Sequence, residues 1–288
     1  MSVWKTRASG EERARAAGLA LDKRGRGEPV VQLHGLTSSR ARDETLRLDL
    51  TAGRNGLRVL RYDAFGHGLS AGSTSPADYE WDTLADDLLA LLDAEFPGRR
   101  VHGVGQSMGT ATLLTAAVRD PSRFASLSLG IPPTAWDTRA AQAADYEDSA
   151  VFVERSGRSA FAESRRDLPL PPAAEPDRPH MLPDVREEWL PAAFRGAAAS
   201  DLPAREEIAA LRIPTLVLAW TEDASHPESS ARELHRLVSG SRIYVASRPE
   251  PVREWPAMIS KHIECAAAAA IAGEGADGAL PGGIPGDS

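Results

Sequence analysis

Short apolar segments alternate with longer amphipathic segments along most of this chain, and this alternation limits the folds that it can adopt. The short segments are nearly unbroken runs of apolar residues, which is typical of parallel strands covered by helices on both faces. The longer segments carry apolar residues at helical spacing. The sequence therefore predicts an α/β fold with a mostly parallel central sheet flanked by helices.

The predicted elements begin with a hairpin. Residues 19–23 and 29–33 read as strands, and the turn-prone residues 24–27 join them. Further strands are predicted at residues 57–62, 100–104, 124–129, 215–220 and 242–246. Helices are predicted at residues 81–96, 108–119 and 227–238, and from residue 255 onward.

Residues 131–211 interrupt the alternation with a proline-rich and aromatic segment that contains helical patterns but no convincing strand. We expect a helical cap over the sheet; the alternative is a long, partly disordered loop, which fits the proline density of residues 168–183. The predicted organisation is a core of residues 1–130 and 212–272, a cap or lid of residues 131–211, and a disordered glycine-rich tail of residues 273–288.

Composition excludes several classes of function. The 33 basic and 41 acidic residues leave a net charge of −8, which provides no positive field for a nucleic-acid backbone. Cys265 is the single cysteine, so neither an internal disulfide nor a cysteine-rich metal site is expected. Residues 1–20 lack a signal-like apolar segment and no apolar run is long enough for a membrane span. We expect a cytoplasmic protein without a membrane partner, and its oligomeric state is left open.

One motif carries chemistry. The predicted strand at residues 100–104 runs into Gly105-Gln106-Ser107-Met108-Gly109, and a helix is predicted directly afterwards. A G-x-S-x-G sequence between a strand and a helix is typical of a strained turn that exposes the serine hydroxyl above the sheet, at the positive end of a helix dipole. The alternative is a glycine-rich turn that only allows close packing of the helix.

Two further loops follow predicted strands. Residues 34–36 read His-Gly-Leu, and residues 63–70 form a glycine-bearing loop that starts with Asp and contains His67. With the serine motif, these loops make the chain resemble the α/β-hydrolase fold family. The resemblance implies that Ser107 is a nucleophile and that the backbone N–H groups of Leu36 and Met108 form an oxyanion hole. It also implies structural roles for His34, Asp63 and His67.

The family places an acid after the penultimate strand, and Asp223 matches that position in residues 221–227. A second interpretation remains open. Ser225-x-x-Glu228 is also a capping-box pattern for the following helix, in which case Asp223 would be solvated near the helix start.

The expected base is missing. When Glu254 and Pro256 are aligned with the family pattern, Pro249 occupies the usual place of the catalytic histidine. His226, three residues after Asp223, is the candidate for a relocated base, and Glu250 is a weaker substitute because an ordinary carboxylate accepts a hydroxyl proton poorly. Among the other histidines, a buried position is predicted for His102, and surface positions are predicted for His180, His235 and His262.

The leading hypothesis is a cofactor-free serine hydrolase that cleaves an ester, lactone or thioester of a small apolar or aromatic acid. Its acyl-enzyme would form on Ser107, with Gln106, Trp136 and Trp189 contacting the substrate. One alternative is a ligand-binding or sensor protein that has lost hydrolysis, motivated by Pro249. The other is a cofactor-free lyase, isomerase or cyclase that uses the oxyanion hole for an enolate. No metal is expected in any of the three.

Overall fold

Ser107, Asp223 and His226 follow the carboxyl ends of strands of one sheet. A computed structural model describes the backbone of residues 18–51 and 56–277 and, within them, the side chains as far as residue 270. Seven strands form one sheet in the order β1-β3-β2-β4-β5-β6-β7. They are β1 (Leu21–Gly25), β2 (Glu28–Leu33), β3 (Leu57–Tyr62), β4 (Val101–Gln106), β5 (Phe124–Gly130), β6 (Thr215–Trp220) and β7 (Arg242–Ala246). β1 is antiparallel to β3 and the other pairs are parallel, so the predicted fold class is confirmed.

Helices connect the strands. They are α1 (Arg40–Thr45), α2 (Trp81–Glu95), α3 (Met108–Arg119), α4 (Arg139–Ser164), α5 (Leu190–Ala198), α6 (Arg205–Ala209), α7 (Glu228–Leu237), α8 (Pro249–Arg253) and α9 (Trp255–Asp277). Short 3₁₀ turns lie at Pro76–Tyr79, Pro121–Arg123 and Trp136–Thr138. The predicted helix at residues 108–119 and the strands at 57–62, 215–220 and 242–246 have the predicted bounds.

Both faces of the sheet are covered, as the unbroken apolar strands predicted. In β6, Val217 and Ala219 belong to a cluster shared with α2, α3 and α7. The alternate residues Leu216, Leu218 and Trp220 belong to a second cluster, which α9 completes from the opposite face. Because successive strand side chains point to opposite faces, a strand covered on both sides is apolar throughout.

The predicted opening hairpin is wrong. β1 pairs with β3, placing Leu21 opposite Tyr62, and β3 lies between β1 and β2. The connection passes the start of β3, where the Glu28 N–H donates to the Gly56 carbonyl at 2.9 Å. The turn residues predicted a reversal of the chain, but local turn chemistry does not specify the neighbour of a strand. Here β3 and β4 occupy both edges of β2, which leaves β1 the outer edge of β3.

Residues 131–211 contain helices and turns but no strand of the sheet. The backbone of α4 leaves helical geometry at Gly157, where φ is +82°. α4 and α5 pack through a cluster, here called the cap cluster, in which the rings of Phe161 and Phe194 lie 5.2 Å apart. Leu36 and Phe65, from the loops after β2 and β3, pack against the cap cluster. The division of the chain into core and cap stays a prediction.

The last helix extends further than predicted. α9 continues to Asp277, so residues 273–277 of the predicted tail are helical. The run of alanines at residues 266–270 has high helix propensity and favours propagation of the helix into this segment. The rest of the predicted tail, residues 278–288, and the first residues of the predicted core, 1–17, lie outside the described residues.

Candidate active site

Ser107 occupies a strained turn between β4 and α3. Its backbone φ is +52°, a conformation that non-glycine residues adopt rarely. A Cβ at Gly109 would lie 2.5 Å from the carbonyl oxygen of Leu33, and one at Gly105 would overlap the Gly109 carbonyl. Both glycines therefore permit the close approach of α3 to β2 and β4. The strained turn raises the Ser107 side chain at the carboxyl end of the sheet.

The Ser107 hydroxyl meets His226. The Oγ of Ser107 lies 2.7 Å from Nε2 of His226, and Nδ1 of the same imidazole lies 2.8 Å from Oδ2 of Asp223. An ionised carboxylate only accepts hydrogen bonds, so Nδ1 carries the proton and Nε2 accepts from the Ser107 hydroxyl. The imidazole is half-buried, at 19% exposure of its side chain. The arrangement can draw a proton from Ser107 while Asp223 stabilises the positive charge that forms.

Asp223 accepts four hydrogen bonds. Oδ2 accepts from the Trp220 indole N–H and from His226 Nδ1, both at 2.8 Å. Oδ1 accepts from the backbone N–H groups of Ser225 at 3.0 Å and of His226 at 3.2 Å. Burial opposes ionisation, but the hydrogen bond and charge of His226 and the N–H donors of Trp220 and Ser225 outweigh it and lower the pKa of Asp223 to about 2. The carboxylate is therefore ionised at neutral pH.

The loop after β6 brings Asp223 and His226 together. The hydrogen bonds from Asp223 to the Ser225 and His226 backbone close a tight turn, and Thr134 N–H donates to the Ser225 carbonyl at 3.1 Å. The alternative capping box is not formed, because Pro227 is the cap residue of α7 and makes no side-chain capping bond. Polar side chains in a tight turn often hydrogen-bond to nearby backbone groups of the same turn. The Asp223 carboxylate is therefore held by N–H groups of its own loop.

The usual base position lies on a different element. Pro249 is the first residue of α8, where a missing N–H and a fixed φ suit a helix start. Glu250 is exposed and pairs with Arg248 at 3.6 Å, and no hydrogen bond to Ser107 is formed from α8 within the described part of the chain. The weaker substitute base of the sequence analysis therefore does not meet the hydroxyl.

The loop after β2 lies beside Ser107. A Cβ at Gly35 would lie 3.3 Å from the Ser107 Cβ, so this loop and the turn are in contact. The His34 ring fixes the loop, because Nδ1 donates to the Gly35 carbonyl at 2.8 Å and Nε2 accepts from the Ala64 N–H at 2.9 Å. Met108 is the first residue of α3, where N–H groups have no partner within the helix.

The N–H groups of Leu36 and Met108 make no hydrogen bond to any residue that the structure describes. Both are therefore free to donate to an acceptor. This is the arrangement that an oxyanion hole needs, since its donors must be free before the reaction begins.

The remaining histidines are structural or remote. His67 is fully buried, and burial together with the nearby His34 lowers its pKa to about 3. His102 is buried and lies 2.8 Å from the Ser126 hydroxyl. The predicted surface position of His262 is wrong, since it is 4% exposed and its Nε2 lies 3.2 Å from the Leu127 carbonyl. On α9 it lies on the face that packs against the sheet, which periodicity in an alanine-rich helix did not reveal.

The three predicted substrate contacts lie in different places. Gln106 is buried and donates through Nε2 to Oδ2 of Asp43 at 2.6 Å, so its amide points into the protein rather than toward a substrate. Trp136 donates its indole N–H to the Pro203 carbonyl at 3.1 Å. Trp189 packs against Gly72, where a Cβ would overlap its ring. The alternation of strand side chains sends Gln106 away from the face toward which Ser107 projects.

Sequence reasoning missed two residues that interact with Asp223. Trp220 is the last residue of β6; it donates to Asp223, and it lines a cavity of about 430 Å³ between α1, residues 173–178 and α8. Arg178 lines the same cavity; burial lowers its pKa, and the charge of Asp223 partly offsets the effect. The available signal for Trp220 was an indole at the end of a predicted strand, three residues before a carboxylate. No sequence pattern pointed to Arg178.

Within the described residues no cluster of three or more histidine, cysteine, aspartate or glutamate side chains has the arrangement of a metal site. Nor does any helix among those residues combine the length and the apolar character needed to cross a bilayer.

Comparison with known proteins finds a family and individual proteins that are similar to this chain. A model described as the alpha/beta hydrolase family matches residues 30–257. A pimeloyl-[acyl-carrier protein] methyl ester esterase of Neisseria meningitidis is 29% identical over 202 residues, which are 66% of this chain and 74% of the relative.

Solved structures agree with this result. A hydrolase from Pseudomonas aeruginosa PA01 superimposes with a TM-score of 0.69 and 25% identity, covering 84% of this chain and 93% of the other. A thermophilic esterase from Thermogutta terrifontis gives a TM-score of 0.66 at 25% identity, with coverage of 85% and 91%.

Proposed function

This chain is a hydrolase that belongs to the alpha/beta hydrolase family, and from that premise we propose that it cleaves an ester, lactone or thioester through an acyl-enzyme on Ser107. The observation that carries the proposal is the pair of contacts at His226, 2.7 Å to Ser107 Oγ and 2.8 Å to Asp223 Oδ2. A serine hydroxyl needs a neighbour that accepts its proton, and His226 takes the role that Pro249 cannot fill.

In the acylation step, His226 Nε2 removes the Ser107 hydroxyl proton as Oγ attacks the substrate carbonyl carbon. The carbonyl electron pair moves onto oxygen, and the N–H groups of Leu36 and Met108 donate to the oxyanion. Asp223 stabilises the imidazolium. When the oxyanion collapses, the bond to the leaving oxygen or sulfur breaks and Nε2 returns its proton to the leaving group.

In the deacylation step, a water molecule enters where the leaving group stood. His226 takes a proton from the water, and the hydroxyl oxygen attacks the acyl carbon. The second oxyanion uses the same two N–H donors. Its collapse breaks the bond to Ser107 Oγ, which regains the proton from Nε2, and the carboxylic acid leaves. No cofactor takes part in either step.

The substrate acid that we propose is small and apolar or aromatic. Its support is that Leu36, beside the reacting serine, also packs against the cap cluster, so an acyl group at the oxyanion hole would meet apolar side chains. Trp136 and Trp189 add aromatic surface to the cap, and we keep both as proposed substrate contacts. The methyl ester esterase among the relatives supports ester chemistry.

The alternative of an inactive ligand binder depended on the lack of a base near Ser107. The contact between His226 and Ser107 removes that motive. The alternative of a lyase, isomerase or cyclase predicts that the oxyanion hole suffices and that Ser107→Ala keeps part of the activity.

A fluorophosphonate probe, which phosphorylates an activated serine, tests the proposal. Wild-type protein should be labelled, Ser107→Ala should not, and His226→Ala should be labelled far more slowly. His235→Ala is the matched control, because this exposed histidine on α7 hydrogen-bonds through its ring to the Ser241 side chain, away from Ser107, and should label as wild type does. Equal labelling of wild type and Ser107→Ala would refute the acyl-enzyme. No labelling, combined with thermal stabilisation by an apolar carboxylic acid, would favour the binding protein.

A further inference from the structure

A buried carboxyl group joins the two segments that carry the oxyanion donors. Asp43, on α1, is 1% exposed. Its Oδ1 lies 2.6 Å from the Ser38 hydroxyl and its Oδ2 accepts from the Gln106 amide, also at 2.6 Å. Ser38 lies two residues after Leu36, and Gln106 lies directly before Ser107.

We infer that Asp43 is a positioning residue, which sets the spacing between the Leu36 and Met108 donors by bridging Ser38 to Gln106. The inference rests on the proposed function, since it assigns these two N–H groups to an oxyanion. Among the described residues Asp43 makes no hydrogen bond to Ser107, and it acts through the two side chains that it holds.

The bridge matters because it links the loop after β2 to the turn beyond the point where β2 and β4 cease to pair. β2 and β4 are paired only as far as Leu33 and Gly105, and the loop leaves the sheet after that point. The loop turns sharply, with the Ser38 N–H donating to the Gly35 carbonyl at 3.1 Å, so a restraint on Ser38 also restrains Leu36. An oxyanion hole loses much of its effect when one donor moves, because the stabilisation depends on donors already in place.

The environment of Asp43 sets the protonation state of the bridge. Burial raises its pKa most; the Ser38 hydroxyl, Arg42 and the Gln106 amide lower it, the charge of Asp49 raises it further, and the result is about 8. Arg42 lies on the same helix, Asp49 in the segment that follows it, Ser38 before it, and Gln106 on β4. The Ser38 hydroxyl donates to Oδ1 when the carboxyl is ionised; when the carboxyl is protonated, as at neutral pH, the hydroxyl accepts from it instead, and Oδ2 accepts from Gln106 in both states. Above pH 8 a buried negative charge beside the turn opposes the oxyanion.

Two variants separate positioning from a general role in folding. Asparagine has the shape of the protonated acid, since its amide donates to Ser38 and its oxygen accepts from Gln106. Asp43→Asn should therefore keep kcat within about threefold of wild type at pH 7. Asp43→Ala removes the bridge, and its kcat should fall about 10- to 100-fold at unchanged KM. This loss is no larger than the loss of kcat expected when one oxyanion donor is removed.

The experiment measures kcat and KM for p-nitrophenyl butyrate from pH 6 to pH 9.5. Wild-type kcat should fall as the pH rises through about 8, and Asp43→Asn should lose that fall. Glu44→Gln is the matched control, because it removes a charge one residue away on α1 that pairs with Arg24 and Arg61 rather than with the bridge. Its pH profile should match wild type.

The inference is overturned if Asp43→Asn keeps the alkaline fall of the wild type, or if folded Asp43→Ala keeps wild-type kcat. Circular dichroism and thermal melting establish which variants fold, and the Asp43→Asn profile decides the matter if Asp43→Ala does not. Failure of the proposed function is a separate result, because wild-type protein would then not be labelled by the fluorophosphonate probe at all.

Discussion

Replacement of Asp223 by asparagine exposes how the proposed relay works. The variant keeps an oxygen for the backbone N–H groups of Ser225 and His226. It places an NH₂ group where Oδ2 now accepts from Trp220 Nε1 and His226 Nδ1. Donors then face donors, and the imidazole relieves its own conflict by moving its proton from Nδ1 to Nε2. In that tautomer Nε2 can no longer accept the proton of Ser107.

The substitution should lower both kcat and the free energy of unfolding. A relay with the wrong histidine tautomer loses on the order of 10⁴ in kcat, or about 5.5 kcal/mol of transition-state stabilisation. For stability, the pKa of Asp223 falls from 3.8 to about 2 on folding, which at about 1.4 kcal/mol per unit contributes about 2 kcal/mol. A lowered pKa stabilises the fold above the unfolded value, and the contribution disappears as pH falls through about 2. The variant should thus lose about 2 kcal/mol of unfolding free energy at pH 7.

Steady-state hydrolysis of p-nitrophenyl butyrate and urea unfolding at pH 7 measure the two effects. Glu222→Gln is the control, because this exposed neighbour loses a charge and makes no hydrogen bond to the relay among the described residues. It should keep wild-type kcat. If Asp223→Asn hydrolyses the ester within threefold of wild type while remaining folded, the assignment of the acid and of the tautomer is refuted.

Three further predictions concern the frame of the site. Gly109→Ala brings a Cβ within 2.5 Å of the Leu33 carbonyl oxygen in β2 and should lower the melting temperature and kcat together. Gly98→Ala is the comparison in the same melting assay: its φ of +68° strains an alanine, but the Cβ meets nothing within 4 Å, so its loss should be smaller. Trp220→Phe keeps an aromatic ring but removes the N–H donor to Asp223, so kcat/KM for the same ester should fall about 3- to 10-fold. Unchanged kinetics would refute a role for the indole. Burial lowers the pKa of His67 to about 3 and of His102 to about 4. The unfolding free energy should therefore decline as pH falls below 6.5, because the unfolded chain binds protons that the folded chain does not. Urea unfolding at pH 7 and pH 5 tests this, and equal unfolding free energies would contradict it.

The sequence predicted the frame of this molecule well. The bounds of α3, β6 and β7 follow from helical spacing and from nearly unbroken apolar strands, both of which are local properties, whereas β4 runs from Val101 to Gln106 rather than over the predicted residues 100–104. The errors concern neighbours. The hairpin at residues 24–27 was wrong because strand order is set by the whole sheet, and the surface position of His262 was wrong because an alanine-rich helix has no marked polar face.

In the candidate site, too, local features could be predicted from the sequence and contacts between distant residues could not. The motif at residues 105–109 and the loop at residues 34–36 could be recognised, because strained turns need glycine at defined spacing. The partner of Gln106 could not be, since Asp43 lies 63 residues away and their contact depends on how α1 packs against β4. Sequence spacing could place His226 beside Asp223 in one loop, but the reach of its ring toward Ser107 spans 119 residues of chain.

By itself, then, the sequence determined an α/β fold, a strained serine turn at residues 105–109 and the absence of a histidine at position 249, because each depends on residues close together in the chain. Only the tertiary structure decided that the imidazole of His226 meets the hydroxyl of Ser107. The physical reason is that β5 lies between β4 and β6, and its pairing with both brings their carboxyl ends to one edge of the sheet. A loop after β6 can therefore replace the one after β7 as the source of a base.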